Sequence, residues 1–240
     1  MTFIKKKTYE QHDNEEGSFY KNSVKPFEFS ERLENNLDID LCVIGGGLTG
    51  ISSALNLAKE GYSVALCEAR TLGWGASGRN GGQLGIGMRK DQFFIEKKLG
   101  FEHAKELWNL GLEAVSETTK LISKYNIQCA LQKGVIHAGF SKRNMDDFHF
   151  EIDHMHKHYN YDGYKFFNKY EIKEEINSDI YNSGLLNNDN YHLNPLKLLL
   201  GLANELVKLK VRIYENTPVT KILKDRDGVK VYSEFKIIKA

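Results

Sequence analysis

At 240 residues, with 41% hydrophobic and 27% charged side chains, the chain has the composition of an ordinary globular protein of one large or two modest domains. A formal net charge of +1 excludes the footprint of a nucleic-acid binder, and Lys5-Lys6-Lys7 reads as part of a solvated tail rather than a basic stripe. No apolar run reaches membrane-spanning length, and no signal-peptide core follows the lysines.

Met1 to Asn36 is rich in Lys, Glu, Asn and Ser, with a few aromatics such as Phe19, Tyr20, Phe27 and Phe29. It reads as an extended arm on a domain surface, its first dozen residues disordered. Ile39 to Ile44 then has the short, β-branched, apolar character of a strand buried on both faces of a parallel sheet. Gly45-Gly46-Gly47-Leu48-Thr49-Gly50 follows and carries G-x-G-x-x-G at Gly45, Gly47 and Gly50. In a dinucleotide-binding turn the first glycine bends the chain, the second lets the backbone approach a pyrophosphate, and the third lets helix lie on strand. The helix after it, Ile51 to Lys59 with Ile51, Leu55 and Ala58 on one face, would aim free N–H groups and its positive dipole end at that phosphate. Gly61 ends the helix, and Tyr62 to Cys67 makes the next strand, which runs into Glu68. An acid at that place accepts hydrogen bonds from ribose hydroxyls and disfavours a 2′-phosphate. Strand, glycines, helix, strand and acid in register form a nucleotide-binding βαβ unit.

Arg70 to Gln83 is glycine-dense, too long and too polar for a simple turn. Its glycines let the backbone pass close to a ligand, and Ser77, Arg79, Asn80 and Gln83 supply donors suited to phosphate and ring heteroatoms, as a second wall of the cleft requires. His103 to Ser123 spaces Leu107, Leu110, Ala114, Val115, Leu121 and Ile122 along one face of an amphipathic helix, with Trp108 as core bulk. Cys129 to Phe140 has strand character around Gly134, and His137 within it reads as a buried, hydrogen-bonded core histidine. Asn144 to Tyr159 reads as a solvated helix. His154 and His158 stand at i and i+4 on it but lack a third ligand, so no metal is expected. A short strand at Tyr164 to Phe167 and a short helix at Tyr170 to Glu175 follow.

Asn194 is a good N-cap and Pro195 a good first residue for a helix through about Leu209, with Leu198, Leu199, Leu202, Leu206 and Leu209 as its buried stripe. Val211 to Tyr214 is the next parallel strand. Lys221 to Lys224, Val229 to Ser233 and Phe235 to Ile238 are further strands, around a turn at Asp225 to Gly228. Cys42, Cys67 and Cys129 all fall in strand-like runs without metal-ligand spacing, which suits reduced, buried thiols in a cytoplasmic protein.

GGGLTG, the acid Glu68 and GWGASGRNGGQ together resemble the FAD-dependent D-amino-acid oxidase superfamily, most of all its γ-glutamylputrescine oxidoreductase branch, which shares the GASGRNGGQ segment and an aromatic-containing N-terminal arm. The resemblance implies an α/β fold: a Rossmann-like, glutathione-reductase-type FAD-binding domain with an inserted α+β substrate domain. The implied division is an arm over 1–37, FAD-binding parts over 38–92 and 191–240, and a substrate part over 93–190. It implies FAD as cofactor, bound by Gly45, Gly47, Leu48, Thr49 and Gly50 at the pyrophosphate and by Glu68 at the ribose. Ala69, Arg70, Ser77, Arg79, Asn80, Gly81, Gly82 and Gln83 would lie along the cofactor, and Val219 would make backbone contacts to the adenine. It also implies a reaction: oxidation of the CH–NH group of a small amine or amino acid by hydride transfer to flavin. The imine then hydrolyses, and oxygen or another acceptor takes the electrons. No catalytic side chain is assigned. The likeness covers nearly all of this chain but about the N-terminal half of a family member, so the chain is expected to be truncated, with an open edge at its last strand and marginal stability alone. Two other readings stay open, a flavin-binding fragment without turnover and an NAD-dependent dehydrogenase. GWGASGRNGGQ argues against the second, because nicotinamide enzymes need no second glycine-rich wall directly after the ribose acid.

Overall fold

The structure, a computed structural model, describes residues 2–3, 18–226, 228–234 and 236–240. The Lys5–Lys7 tail, most of the stretch expected to be disordered, and Phe235 lie outside the described residues. In chain order the elements are β1 (Thr2–Phe3), α1 (Phe19–Asn22), β2 (Leu37–Asp38), β3 (Leu41–Ile44), α2 (Leu48–Lys59) and β4 (Val64–Cys67). A 3-10 turn (Ala76–Gly78) leads to β5 (Gln83–Leu84), α3 (Gln92–Leu99), α4 (Phe101–Lys124), β6 (Gln132–Gly139), α5 (Lys142–Tyr159), β7 (Tyr164–Phe167) and α6 (Lys169–Ile176). The chain closes with β8 (Ser183–His192), α7 (Pro195–Lys208), β9 (Arg212–Tyr214), β10 (Val219–Asp225), β11 (Gly228–Ser233) and β12 (Ile237–Lys239).

The chain divides into two compact units, one of Met1–Gly81, Ile122–Cys129 and Asn194–Ala240, the other of Gly82–Leu121 and Ala130–Leu193. The breaks fall after residues 81 and 193, where the sequence suggested 92 and 190, and the end of α4 with the turn after it counts with the first unit.

In the first unit β3, β4 and β9 form a parallel sheet with β4 in the middle. Every residue of β4 is buried, whereas β3 is only half-buried and its Ile44 is 45% exposed. The expectation that the first strand is covered on both faces is therefore corrected: apolar composition marked β3 as a strand, but sheet order places it at an edge. Its neighbour in sequence, β2, belongs elsewhere. It pairs in parallel with β12 and completes a second sheet in the order β1, β10, β11, β12, β2. The last strand is thus flanked on both sides, by β11 and β2, and the open edge expected there is not found. Leu33, Ala65, Cys67, Tyr214, Val231 and Ile238 form the buried core of this unit, with Val219 packed against it.

Helix α7 begins as its sequence requires. Asn194 Oδ1 accepts the Lys197 N–H at 3.0 Å, and the Asn194 amide donates to Ser23 Oγ at 2.8 Å, which ties the N-terminal arm to this helix. Leu198, Leu199, Leu202 and Leu206 are buried, each worth about 1.5–3 kcal/mol relative to exposure. Leu209 lies one residue beyond the helix and is 40% exposed, so the stripe ends at Leu206. The arm also extends the parallel sheet, since Glu31 forms a parallel bridge with Tyr214 and its N–H reaches the Ile213 carbonyl at 2.8 Å.

The second unit is built on β8, which carries β6 along one side and β5 and β7 along the other, all antiparallel. Its core gathers Ile86, Trp108, Val115, Met155, Tyr159 and Tyr161. Trp108 meets the Tyr159 and Tyr161 rings edge-on, as expected of a core residue. The buried face of α4 holds Val115 and Ile122 as expected and adds Ala104 and Gly111, while Ala114 is exposed and Leu110 is 54% exposed. A side chain at Gly111 would collide with the Ile86 carbonyl, so this close approach requires glycine. His137 is exposed on β6 rather than buried, and Cys129 sits in the bend before β6 rather than in a strand.

Candidate functional site

The first glycine motif and Glu68 come together at the carboxyl ends of β3 and β4. Gly45 leaves β3 with φ of +107°, a conformation L side chains rarely adopt, and its N–H reaches the Cys67 carbonyl at 2.8 Å. A Cβ on Gly50 would collide with the Gly45 carbonyl oxygen, so this glycine lets the start of α2 lie directly on the turn. Gly47 is the N-cap of α2 and has no side chain with which to cap it. Its extended backbone leaves the helix N-terminus open.

A second segment closes part of that opening. Ser77 Oγ, on the 3-10 turn of the GASG stretch, accepts the Leu48 N–H at 3.0 Å, while Gly46 N–H donates to Glu68 Oε2 at 2.7 Å. Among the described residues the N–H groups of Gly47, Thr49 and Gly50 have no protein acceptor, and Thr49 is exposed. Three N–H groups at the positive end of a 12-residue helix make a site for an anion.

Glu68 stands one residue beyond β4 and is half-buried. Its Oε1 accepts the Arg70 N–H at 2.8 Å. With Gly46 on Oε2, the two backbone donors hold the carboxylate across the mouth of the glycine turn, with lone pairs left for further donors. The turn after it is fastened to the connection between β9 and β10. Glu68 N–H reaches the Tyr214 carbonyl at 2.9 Å, Thr217 N–H the Glu68 carbonyl at 2.8 Å, and Asn216 N–H the Arg70 carbonyl at 2.8 Å. Leu72 N–H donates to Glu215 Oε1 at 2.5 Å. Glu215 has no place in any motif, and sequence reading missed it. Burial first, and the neighbouring Glu68 charge after it, push its carboxyl above the usual carboxylate range, against the pull of the Leu72 N–H and the Ser30 hydroxyl.

The other expected site residues separate into groups. Ala69 is exposed and, with Thr217 and Pro218, lines an open cavity of about 880 Å³. The Arg70 and Arg79 guanidinium groups lie over the Trp74 ring at 5.6 and 4.8 Å from its centre. The Asn80 amide donates to the carbonyls of Ala76 and Ser77 at 3.2 and 3.1 Å, so it braces the 3-10 turn. Gly81 is exposed at the end of the first unit. Gly82 and Gln83 belong to the second unit, where the Gly82 carbonyl accepts the Leu193 N–H at 2.8 Å and Gln83 pairs with His192. Val219 opens β10 opposite Ser233 and is half-buried.

His154 and His158 lie side by side near the end of α5. Their rings lie 4.7 Å apart, but His154 Nε2 is hydrogen-bonded to Glu96 Oε1 at 2.8 Å, and the Tyr159 hydroxyl donates to the same oxygen at 2.7 Å. Burial, and the Glu96 charge with it, raises the Tyr159 hydroxyl to about 12. Among the described residues no group of three or more His, Cys, Asp or Glu side chains could hold a metal ion, and no helix is long and apolar enough to cross a membrane. Among the described residues Cys42, Cys67 and Cys129 form no disulfide.

Residues 40–239 match the DAO family of FAD-dependent oxidoreductases. Among curated proteins the chain is 38% identical over 192 residues to the Probable oxidoreductase OrdL of Haemophilus influenzae, covering 80% of this chain and 44% of that one. It is 32% identical over 205 residues to the γ-glutamylputrescine oxidoreductase of Escherichia coli, covering 85% and 48%. The fold superposes on an L-amino acid deaminase from Proteus vulgaris with a TM-score of 0.67 at 19% identity, over 90% of this chain and 54% of that one. The chain thus spans about half the length of the relatives it matches. The open N-terminus of α2, the acid held across the glycine turn and the serine that reaches in from the GASG stretch fit the FAD of that family. On these grounds the chain belongs to the DAO family of FAD-dependent oxidoreductases.

Proposed function

We propose that the first unit holds FAD and that the protein oxidises the CH–NH group of a small amine or amino acid, with a γ-glutamylputrescine-like amine or a D-amino acid as the substrate class. The observation that carries the reading is the open start of α2 with Glu68 held beside it. The α2 N–H groups of Gly47, Thr49 and Gly50 would meet the pyrophosphate, and Glu68 the adenosine ribose. Ala69, Arg70 and Val219 would flank the adenosine. Ser77, Arg79 and Gly81 would run beside the pyrophosphate, with Arg79 bringing positive charge. FAD supplies the electron acceptor; the protein excludes water, orients the amine and steadies charge. The relative named γ-glutamylputrescine oxidoreductase supports that substrate class.

The test is an absorption spectrum of the purified chain with FAD, before and after anaerobic addition of γ-glutamylputrescine, D-alanine or glycine. Bound flavin that bleaches with one of them supports the proposal and selects the substrate. Bound flavin that bleaches with none supports a second reading, cofactor binding without turnover. Failure to bind flavin refutes both.

A further inference from the structure

We infer that Glu215 is a positioning residue for the cofactor, its side chain fastening the turn that aims Glu68; this rests on the FAD reading above. Of the bonds that join 68–72 to 214–217, three run between backbone groups and would form with any residue at position 215. The fourth, from Leu72 N–H to Glu215 Oε1, requires this side chain. It acts at a sensitive place. Arg70 N–H holds Glu68 Oε1 on one side of the turn, and Gly73 N–H reaches the Gly46 carbonyl at 2.9 Å on the other, so Leu72 lies between the two links that join this turn to the acid and to the glycine motif. Leu72 itself is buried, and its Cδ2 is the closest neighbour of any side chain that could be added at Gly46. Glu215 is in turn steadied from the arm, since its N–H donates to Ser30 Oγ at 3.0 Å, and from within by Thr217 Oγ1, which donates to its carbonyl at 2.9 Å.

A half-buried carboxylate next to a second carboxylate is an unfavourable choice for stability alone, because burial and like charge both penalise it. What it provides is an acceptor for an N–H that the turn cannot satisfy within itself. A glutamine offers the same acceptor without the charge, while alanine offers none.

The experiment compares wild type, Glu215→Ala and Glu215→Gln in the 240-residue chain by hydrogen exchange around Leu72 without FAD, by thermal melting, and by FAD affinity from quenching of flavin fluorescence. In Glu215→Ala the Leu72 amide should exchange about tenfold faster and FAD should bind about tenfold more weakly, the scale of one lost hydrogen bond. Exchange elsewhere should be unchanged. In Glu215→Gln both should stay within about threefold of wild type. If wild type binds FAD and Glu215→Ala binds it equally well, the inference falls and the FAD reading stands. Exchange that accelerates throughout the first unit, with a matching fall in melting temperature, would show a general structural role and overturn the inference. A wild type that binds no FAD would remove the FAD reading and the inference with it.

Discussion

The glycines of the first motif have separable roles, and alanine at two of them should separate stability from cofactor binding. At Gly50 an added Cβ would run into the Gly45 carbonyl oxygen, a backbone atom that no side-chain rotation can remove, in a turn where Gly45 already has φ of +107°. Overpacking of this kind costs about 1–3 kcal/mol, and the upper end applies because backbone must move. Alanine recovers about 1 kcal/mol as the better helix former. The net is about 2 kcal/mol, which for a chain of this size lowers the melting temperature by roughly 4–8 °C. At Gly47 the Cβ would lie 2.9 Å from Ser77 Oγ, the movable end of a side chain, and the backbone φ of −87° is ordinary. Losing the Ser77 cap costs about 1 kcal/mol, and the stiffer unfolded chain returns about 0.4–1 kcal/mol. Gly47→Ala should therefore melt within about 3 °C of wild type. It should still lose FAD affinity by about tenfold or more, because its methyl stands where backbone has to approach the pyrophosphate. Circular dichroism melts without FAD and flavin-fluorescence titrations measure the two effects independently. A Gly50→Ala protein that melts with the wild type, or a Gly47→Ala protein that binds FAD with unchanged affinity, would refute the reasoning for that glycine.

Among the described residues Ser183 Oγ has no hydrogen-bond partner and is buried, so Ser183→Ala should be neutral or stabilising by up to about 1 kcal/mol, and a clear drop in melting temperature would contradict this. Trp108 is likewise buried, its indole N–H without a partner among the described residues, so Trp108→Phe should cost well under the 3–5 kcal/mol or so expected of Trp108→Ala; similar losses in urea denaturation would count against it. The raised Glu215 carboxyl carries a definite sign. A carboxyl held above its unfolded value contributes stability that is present below the unfolded pKa and lost as pH rises through the folded one. Glu215→Gln should accordingly be more stable than wild type at about pH 8, with the gap narrowing towards about pH 5. A gap that widens on acidification would reverse the assignment.

The nucleotide-binding βαβ unit is legible in the sequence because its constraints are local. Gly45, Gly47 and Gly50 are needed where backbone meets backbone or ligand, and Glu68 follows directly from the end of β4. The α7 cap is legible for the same reason, since Asn194 and Pro195 act on the turn they begin. Where partners come from distant sequence, local patterns mislead. Asn187 has little strand propensity, yet it lies in β8, the central strand of the second unit, because β6 and β7 pair with it on either side; Asn188, Asp189 and Asn190 follow where the register with β6 shifts. The inward face of α4 includes Gly111, where a side chain would meet the Ile86 carbonyl, a contact that the helix's own apolar spacing does not announce. Glu215 shows the same division at the site itself. Its sequence neighbourhood carries no motif, and its role arises only when the β9–β10 connection is laid against the turn after Glu68. Local sequence thus determines which stretch forms the open helix start proposed to meet the cofactor, because turn geometry and helix ends depend on residues a few positions apart. Tertiary structure alone decides which side chains hold that stretch in place, because a buried N–H is satisfied by whatever the fold brings within hydrogen-bond reach.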